Sequence, residues 1–316
     1  MKEVYTLADL EKWKPKAKTP IRLGVFGDPV EHSLSPQMQN SALKNSGLEM
    51  GYARFQIGAD ELPVALKLVS ELDFVGVNLT VPHKIAAFGL MDELDESARQ
   101  AGAVNTVKIE DGKLRGFNTD GKGFSRAIRE EFSVDLRDLR VLVLGAGGAA
   151  RAIAVECATE NSERLVIANR DFEKAKQLAE ELRSYFAEAR VLGPVPRLQA
   201  IPWDKGAFRF QIANVDLLVN ATPLGLHHAD AAPISARLLA PHLMIYDTVY
   251  SSVQTAFVSA AIEAGARAAN GLSMLLHQGA LAFEIWFERA APLDVMRKAL
   301  MNKEHQGAAA SKPPAK

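Results

Sequence analysis

Apolar residues in this chain come in short runs that end on glycine or a small polar residue, and between the runs they recur at helical spacing. Val141-Leu-Val-Leu144 runs straight into Gly145-Ala-Gly-Gly-Ala-Ala150-Arg151, which predicts a buried strand, a tight turn and a helix start. The same rhythm opens the chain. Leu23-Gly-Val-Phe-Gly27 reads as a strand into a Gly-Asp-Pro turn, and Ser35-Pro36 starts a helix that runs to about Ser46. Tyr52 to Ile57, the helical Ala59 to Glu71, and Gly76 to Thr80 repeat a β-α-β pattern that calls for a parallel sheet. Ala103 to Ile109 and Lys113 to Phe117 flank Asp111-Gly112, a hairpin signal. A helix from Gly121 to about Phe132 leads out, and further strands are expected at Leu165–Ala168, Val215–Asn220 and Leu243–Asp247. After Val253 the pattern is helical, at Thr255 to Ala264, Met274 to Trp286 and Leu293 to Met301, with no new strand.

The glycine turn carries the first chemistry. In a G-x-G-x-x-A turn Gly145 takes the positive φ, Gly147 lets backbone N–H groups approach a pyrophosphate, and Ala150 allows the helix to pack on the strand. Ala146, Gly148 and Ala149 complete the turn, so the anion meets the positive end of a helix. The next strand, Leu165-Val-Ile-Ala168, ends where a dinucleotide fold reads the adenosine ribose. NAD-binding folds place a carboxylate there. Here Asn169-Arg170 follows, with Lys174 one helical turn further on, and two cations suit the 2′-phosphate of NADP. Asp171 leaves two readings open. It serves a ribose hydroxyl, which would admit NAD as well, or it caps the helix Phe172 to Ser184.

Composition narrows the class. With 316 residues, 48% of them hydrophobic and 24% charged, the chain can bury two medium cores. The expected fold is α/β: a mostly parallel-sheet substrate domain at residues 21–122, a Rossmann dinucleotide domain at 123–252, and C-terminal helices at 253–301 returning to the first domain. Residues 1–20 read as an extension, and residues 302–316, rich in Ala, Lys and Pro, as a disordered tail. A net charge of −1 provides no basic field for nucleic acid. No apolar run approaches membrane-spanning length, and Met1 to Pro20 is polar and Lys-rich without a signal-peptide core, so a cytoplasmic protein is expected. Cys157, the single cysteine, excludes an internal disulfide, and the seven histidines show no ligand spacing, so no metal is expected. His32 and His83 read as structural donors or rim residues.

A nicotinamide cofactor needs a substrate beside it, and the first domain concentrates polar residues where its strands end. His32-Ser33-Leu-Ser35-Pro36 sets two hydroxyls at a helix N-terminus, suited to a carboxylate or to an ordinary cap. Gly76-Val-Asn78-Leu-Thr80-Val-Pro82-His-Lys84 closes a strand with a donor, a hydroxyl and an ammonium. Asn105-Thr106 and Asn118-Thr119-Asp120 add amide and carboxylate groups at two more turns. Reducing a ketone with hydride leaves negative charge on oxygen, so a cation that also delivers a proton lowers the barrier. Lys84 is that candidate, and Asp120 could orient its ammonium.

With these motifs the chain resembles the shikimate dehydrogenase family from about Arg22 to about Met301. The resemblance rests on His32 to Pro36, Asn78 to Lys84, Gly102-Ala-Val-Asn-Thr106, Asn118-Thr-Asp-Gly121, Gly145 to Ala149, Asn169-Arg170, Asn220-Ala-Thr-Pro-Leu-Gly225 and Gly271-Leu-Ser-Met-Leu-Leu-His-Gln278. It implies NADP-dependent reduction of 3-dehydroshikimate to shikimate in aromatic amino-acid biosynthesis; the alternative is a quinate/shikimate dehydrogenase with dual NAD/NADP use. It implies further that Ser33 and Ser35 hold the substrate carboxylate and that Thr80, Asn105, Asp120, Tyr250 and Gln278 hold the ring hydroxyls. Lys84 would meet the reacting oxygen, Thr248 and Gly271 would line the nicotinamide, and Glu96 would lie near it. The expected partner is a small-molecule substrate, with no nucleic acid and no membrane, for a monomer or homodimer.

Overall fold

The computed structural model describes residues 2–13, 20–186, 196–227, 229–250 and 254–310. They fall into two units: Met1–Asp120 with Leu275–Lys303, and Gly121–Met274 with the residues from Glu304 on.

In the first unit the strands are β1 (Tyr5–Thr6), β2 (Ile21–Gly27), β3 (Gly51–Gln56), β4 (Gly76–Leu79), β5 (Glu93–Leu94), β6 (Thr106–Glu110) and β7 (Lys113–Phe117). The helices are α1 (Leu7–Glu11), α2 (Ser35–Asn45), α3 (Leu62–Glu71), α4 (His83–Ala86) and α5 (Glu96–Ala101). The sheet order is β1-β3-β2-β4-β6-β7-β5. All pairs are parallel except those of β6 with β4 and β7. Asp111 and Gly112 have φ of 51° and 74°, as the two-residue turn between β6 and β7 requires. Phe26, Phe55, Val77 and Val107 lie in the core against the apolar face of α3, with Leu62, Ala65, Leu66 and Val69.

The N-terminus is not merely an extension. Tyr5 and Thr6 pair with Phe55 and Gln56, and Trp13 stacks edge-on against Tyr5 with ring centroids 5.3 Å apart. The cause is apolar burial: Leu10, almost fully buried, and the aromatic rings of Tyr5 and Trp13 cover the apolar edge beside Phe55 and Phe74.

The second unit follows α6 (Asp120–Phe132) with β8 (Arg140–Leu144), α7 (Gly148–Thr159), β9 (Arg164–Asn169), α8 (Phe172–Glu181), β10 (Leu198–Pro202) and α9 (Lys205–Ile212). Then come β11 (Leu217–Asn220), β12 (Met244–Asp247), α10 (Ala256–Glu263) and β13 (Arg267–Ala269). Its six strands are all parallel in the order β10-β9-β8-β11-β12-β13, the doubly wound arrangement of dinucleotide folds. Val141, Val143, Leu165 and Ile167 face one core, while Leu142, Leu144, Val166 and Ala168 face another, which is why these strands read as unbroken apolar runs. The order reverses between β8 and β11, so loops diverge at the carboxyl ends of these two strands.

Two expectations for the C-terminal third change. Residues 267–269 do form a strand, paired in parallel with Met244–Tyr246, and α10 packs on the same sheet, so both belong to the dinucleotide unit. The expected boundary at Val253 itself lies outside the described residues. Return to the first unit comes with Leu275, within α11 (Leu272–Phe287), where the Trp286 indole donates to the Val107 carbonyl at 3.0 Å. The last helix, α12 (Leu293–Ala310), continues past the expected end at Met301, in a segment with the strong helix formers Ala308, Ala309 and Ala310. Residues 311–316 are outside the described chain. Among the described residues no helix is long and apolar enough to cross a membrane.

Candidate active site

The polar loops of the first unit emerge together because their strands are neighbours. β2 and β4 lie side by side in parallel, so the Ser33–Ser35 loop and the Thr80–Lys84 loop both follow carboxyl ends at one edge of the sheet. β6 runs antiparallel to β4 with Thr106 opposite Asn78, which brings Asn105 to the same edge.

Lys84 sits in the short helix α4, whose backbone is tied down by Val104 N–H donating to the Lys84 carbonyl at 2.8 Å. Its Nζ lies 2.6 Å from Asp120 Oδ2, and the two side chains are only 16% and 4% exposed. The other carboxylate oxygen, Asp120 Oδ1, accepts from Asn105 Nδ2 at 2.8 Å. Asn105 cannot be turned over. Its Oδ1 accepts the Thr119 backbone N–H at 2.8 Å, so only the NH₂ side is left for the carboxylate. Gln278 joins through Oε1, 3.5 Å from Asn105 Nδ2, while its own amide donates to the Leu275 carbonyl at 2.8 Å. Lys84, Asp120, Asn105 and Gln278 therefore form one hydrogen-bonded group.

Ser35 is the first residue of α2 and is buried, and its N–H donates to Ser33 Oγ at 3.3 Å. Arg54 on β3 grips the Ser33 carbonyl with two donors, at 3.0 and 2.7 Å, which ties a guanidinium to the backbone of this loop. Thr80 closes β4 half-buried; its carbonyl accepts His83 N–H at 2.8 Å. His83 is fully buried, with Nε2 against the Ile57 carbonyl at 2.8 Å, and burial holds its pKa below the usual histidine value. It is a structural residue, whereas His32 is exposed at the rim.

The second unit holds the glycine turn. Gly145 has φ +117°, and a Cβ there would stand 2.8 Å from the Ala221 carbonyl oxygen, so the turn closes tightly against β11 only without a side chain. Gly147 is different: it is exposed, precedes α7, and a Cβ would meet nothing within 4 Å. Open space at a positive helix end, flanked by Ala146, Gly148 and Ala149, is what a pyrophosphate needs. Arg170, at the end of β9, is exposed and makes no hydrogen bond or ion pair among the described residues, which leaves a free guanidinium for a phosphate. These residues fit NADP. Asn169 Nδ2 donates to the Asp171 carbonyl at 3.0 Å and shapes the same turn. Asp171 occupies the cap position of α8, yet its side chain makes no capping hydrogen bond and lies 3.7 Å from Lys174 Nζ.

Thr248 follows β12, its N–H on the Asn220 carbonyl at 2.9 Å. A Cβ on Gly271 would run into the Thr248 backbone, so glycine is required for that approach. Tyr250 is half-buried in this unit. Glu96 stands in the first unit on α5, accepting from Gln100 at 3.1 Å and 3.9 Å from Arg99. Asp247 had no assigned role. It is buried at the end of β12, accepting from Thr255 Oγ1 at 2.6 Å, Asn220 Nδ2 at 2.9 Å and Val249 N–H at 3.1 Å, and burial pushes its carboxyl above the usual range. It pins the loops after β11 and β12, including the one that carries Thr248. A carboxylate closing an apolar strand was the available signal.

Comparison with known proteins agrees along most of the chain. The model of the shikimate dehydrogenase substrate binding domain matches residues 25–107, that of shikimate / quinate 5-dehydrogenase residues 126–198, and that of the shikimate 5'-dehydrogenase C-terminal domain residues 271–301. A shikimate dehydrogenase (NADP(+)) of Methanopyrus kandleri is 43% identical over 281 residues, covering 88% of this chain and 94% of the relative. Its counterpart from Desulforamulus reducens is 42% identical over 287 residues, covering 90% and 96%. The crystal structure of shikimate 5-dehydrogenase from Thermus thermophilus in complex with NADP(H) and shikimate superposes with a TM-score of 0.77 at 37% identity, covering 89% of this chain and 99% of that one.

Proposed function

The chain belongs to the shikimate dehydrogenase family, and on that premise we propose how its residues perform the NADP-dependent reduction of 3-dehydroshikimate to shikimate. The reaction is reversible and serves aromatic amino-acid biosynthesis. One observation carries the assignment: a largely buried lysine side chain held 2.6 Å from a carboxylate whose other oxygen is engaged by a one-way amide.

NADPH, when bound, supplies the hydride to the carbonyl carbon. Lys84 donates to the carbonyl oxygen, stabilises the charge that gathers there and gives up a proton to form the hydroxyl. In the oxidative direction the neutral amine takes that proton back. Asp120 keeps the lysine aimed and, with Thr80, Asn105, Gln278 and Tyr250, receives the ring hydroxyls. Ser33 and Ser35 donate to the substrate carboxylate, with the Arg54 guanidinium beside their loop. Gly145, Ala146, Gly147, Gly148 and Ala149 cradle the pyrophosphate, Arg170 with Asn169 and Lys174 receives the 2′-phosphate, and Thr248, Gly271 and Glu96 serve the nicotinamide end.

The exposed Asp171, free of a capping bond, supports a second cofactor reading in which its carboxylate takes a ribose hydroxyl of NAD. The reading is completed by a cytoplasmic location and a monomer or homodimer. The deciding experiment compares kcat/KM for shikimate and quinate, each with NADP+ and NAD+. Shikimate with NADP+ should lead. Equal values for the two acids would make the protein a quinate/shikimate dehydrogenase, and equal values for the two nucleotides would give Asp171 the ribose.

A further inference from the structure

The orientation of Asn105 has a longer cause than Thr119. Thr106 Oγ1 also donates to Asn105 Oδ1, at 3.0 Å. Thr106 is free to do so because its oxygen is already receiving a proton from Asn78 Nδ2, at 3.0 Å. Asn78 is turned that way in its own right: its Oδ1 accepts the Tyr52 hydroxyl at 2.8 Å, and its amide also donates to the Asn105 carbonyl at 3.2 Å. The protons thus run in one direction, from Tyr52 on β3 to Asn78 on β4, to Thr106 on β6, to Asn105 and on to Asp120. Tyr52, Asn78, Thr106 and Asn105 are all buried, the tyrosine at 1% and the threonine at 0% exposure, so water does not replace a missing member without cost.

We propose that Tyr52 and Thr106, neither of which touches Lys84 or Asp120, are positioning residues for the reaction: they lock the Asn105 amide in the one orientation that holds Asp120 against Lys84. Amides do not pass protons along such a chain, so its work is orientation. Without the Thr106 hydroxyl, Asn105 Oδ1 keeps only its contacts to Thr119, and Asn78 Nδ2 loses its side-chain acceptor. Without the Tyr52 hydroxyl, the Asn78 oxygen loses its donor and only the 3.2 Å bond from Asn78 Nδ2 to the Asn105 carbonyl still opposes turning that oxygen toward Thr106, which would turn the threonine proton away from Asn105. This inference rests on the roles given above to Lys84, Asp120 and Asn105.

The test is steady-state kinetics on Thr106→Val, Tyr52→Phe, the double variant and Thr106→Ser. Each of the two single variants should lower kcat for shikimate by about tenfold, the effect of one lost buried hydrogen bond, with KM for NADP+ unchanged. Thr106→Ser should restore most of the rate, because it returns the hydroxyl. The double variant should be no slower than Thr106→Val, since a chain already cut loses nothing more. A lower melting midpoint with wild-type kcat, or effects that multiply in the double variant, would overturn the proposal. If Thr106→Val does not fold, Tyr52→Phe gives the same reading alone. Wild-type protein without shikimate turnover would instead fail the functional assignment itself.

Discussion

Replacing Asp120 by asparagine is nearly isosteric, yet the geometry makes it a severe change. Asn105 Nδ2 donates to Asp120 Oδ1 at 2.8 Å, so an asparagine at 120 must keep its carbonyl oxygen on that side. Its NH₂ then points at the Lys84 ammonium, where Oδ2 accepts at 2.6 Å in the wild type. Turning the amide over only moves the donor-donor conflict to Asn105, which Thr119 prevents from yielding. A charge-assisted bond between largely buried partners is lost, at 4% and 16% exposure. Hydrogen bonds to charged groups contribute about 1.5–3 kcal/mol, which corresponds to a loss of roughly 10- to 150-fold in kcat/KM. The assay is NADPH formation at saturating NADP+ with shikimate varied, alongside a thermal melt to confirm folding. A folded Asp120→Asn protein within about threefold of the wild type would refute the reasoning, because it would show that Lys84 needs no carboxylate to be aimed.

Arg170→Ala should raise KM for NADP+ by about tenfold or more and leave KM for NAD+ nearly unchanged, since only the phosphate loses its partner; equal effects would make Arg170 structural. Ser35→Ala should raise KM for shikimate by about tenfold with little change in kcat, as expected of a carboxylate clamp remote from the hydride; a fall in kcat at constant KM would contradict it. Asp247 gives a prediction in pH. Burial raises its folded carboxyl above the reference value of 3.8, so the unfolded chain loses its proton first and the group's contribution to stability declines as pH rises through that window. The wild-type melting midpoint should therefore fall relative to that of Asp247→Asn as pH rises through that window; a gap that stays constant with pH would contradict it.

Local chemistry was legible where one residue type is forced. The strand-to-glycine step at Leu144–Gly145 announced its turn because only glycine holds φ +117° comfortably beside the Ala221 carbonyl, and Asp111-Gly112 announced the hairpin for the same reason. Lys84 and Asp120 were visible as polar residues at strand ends. Other elements depend on neighbours. β13, Arg267–Ala269, holds no β-branched residue and exists because β12 offers it an edge; β1 is two residues long and is held by the aromatic rings around Trp13. Asp171 occupies the expected cap position without making the expected bond. The path from Tyr52 through Asn78 and Thr106 joins residues up to 54 positions apart, and no periodicity records which way a buried amide faces.

The central claim is that Lys84 acts on the reacting oxygen rather than on the bound substrate as a whole, and the kinetics of Lys84→Ala test it most directly. An interaction made chiefly in the transition state predicts a fall in kcat of about a hundredfold or more, with KM for shikimate changed only modestly and NADP+ binding intact. A variant with wild-type kcat and a raised KM would contradict the account, because Lys84 would then be a binding residue and the proton would have to come from another group.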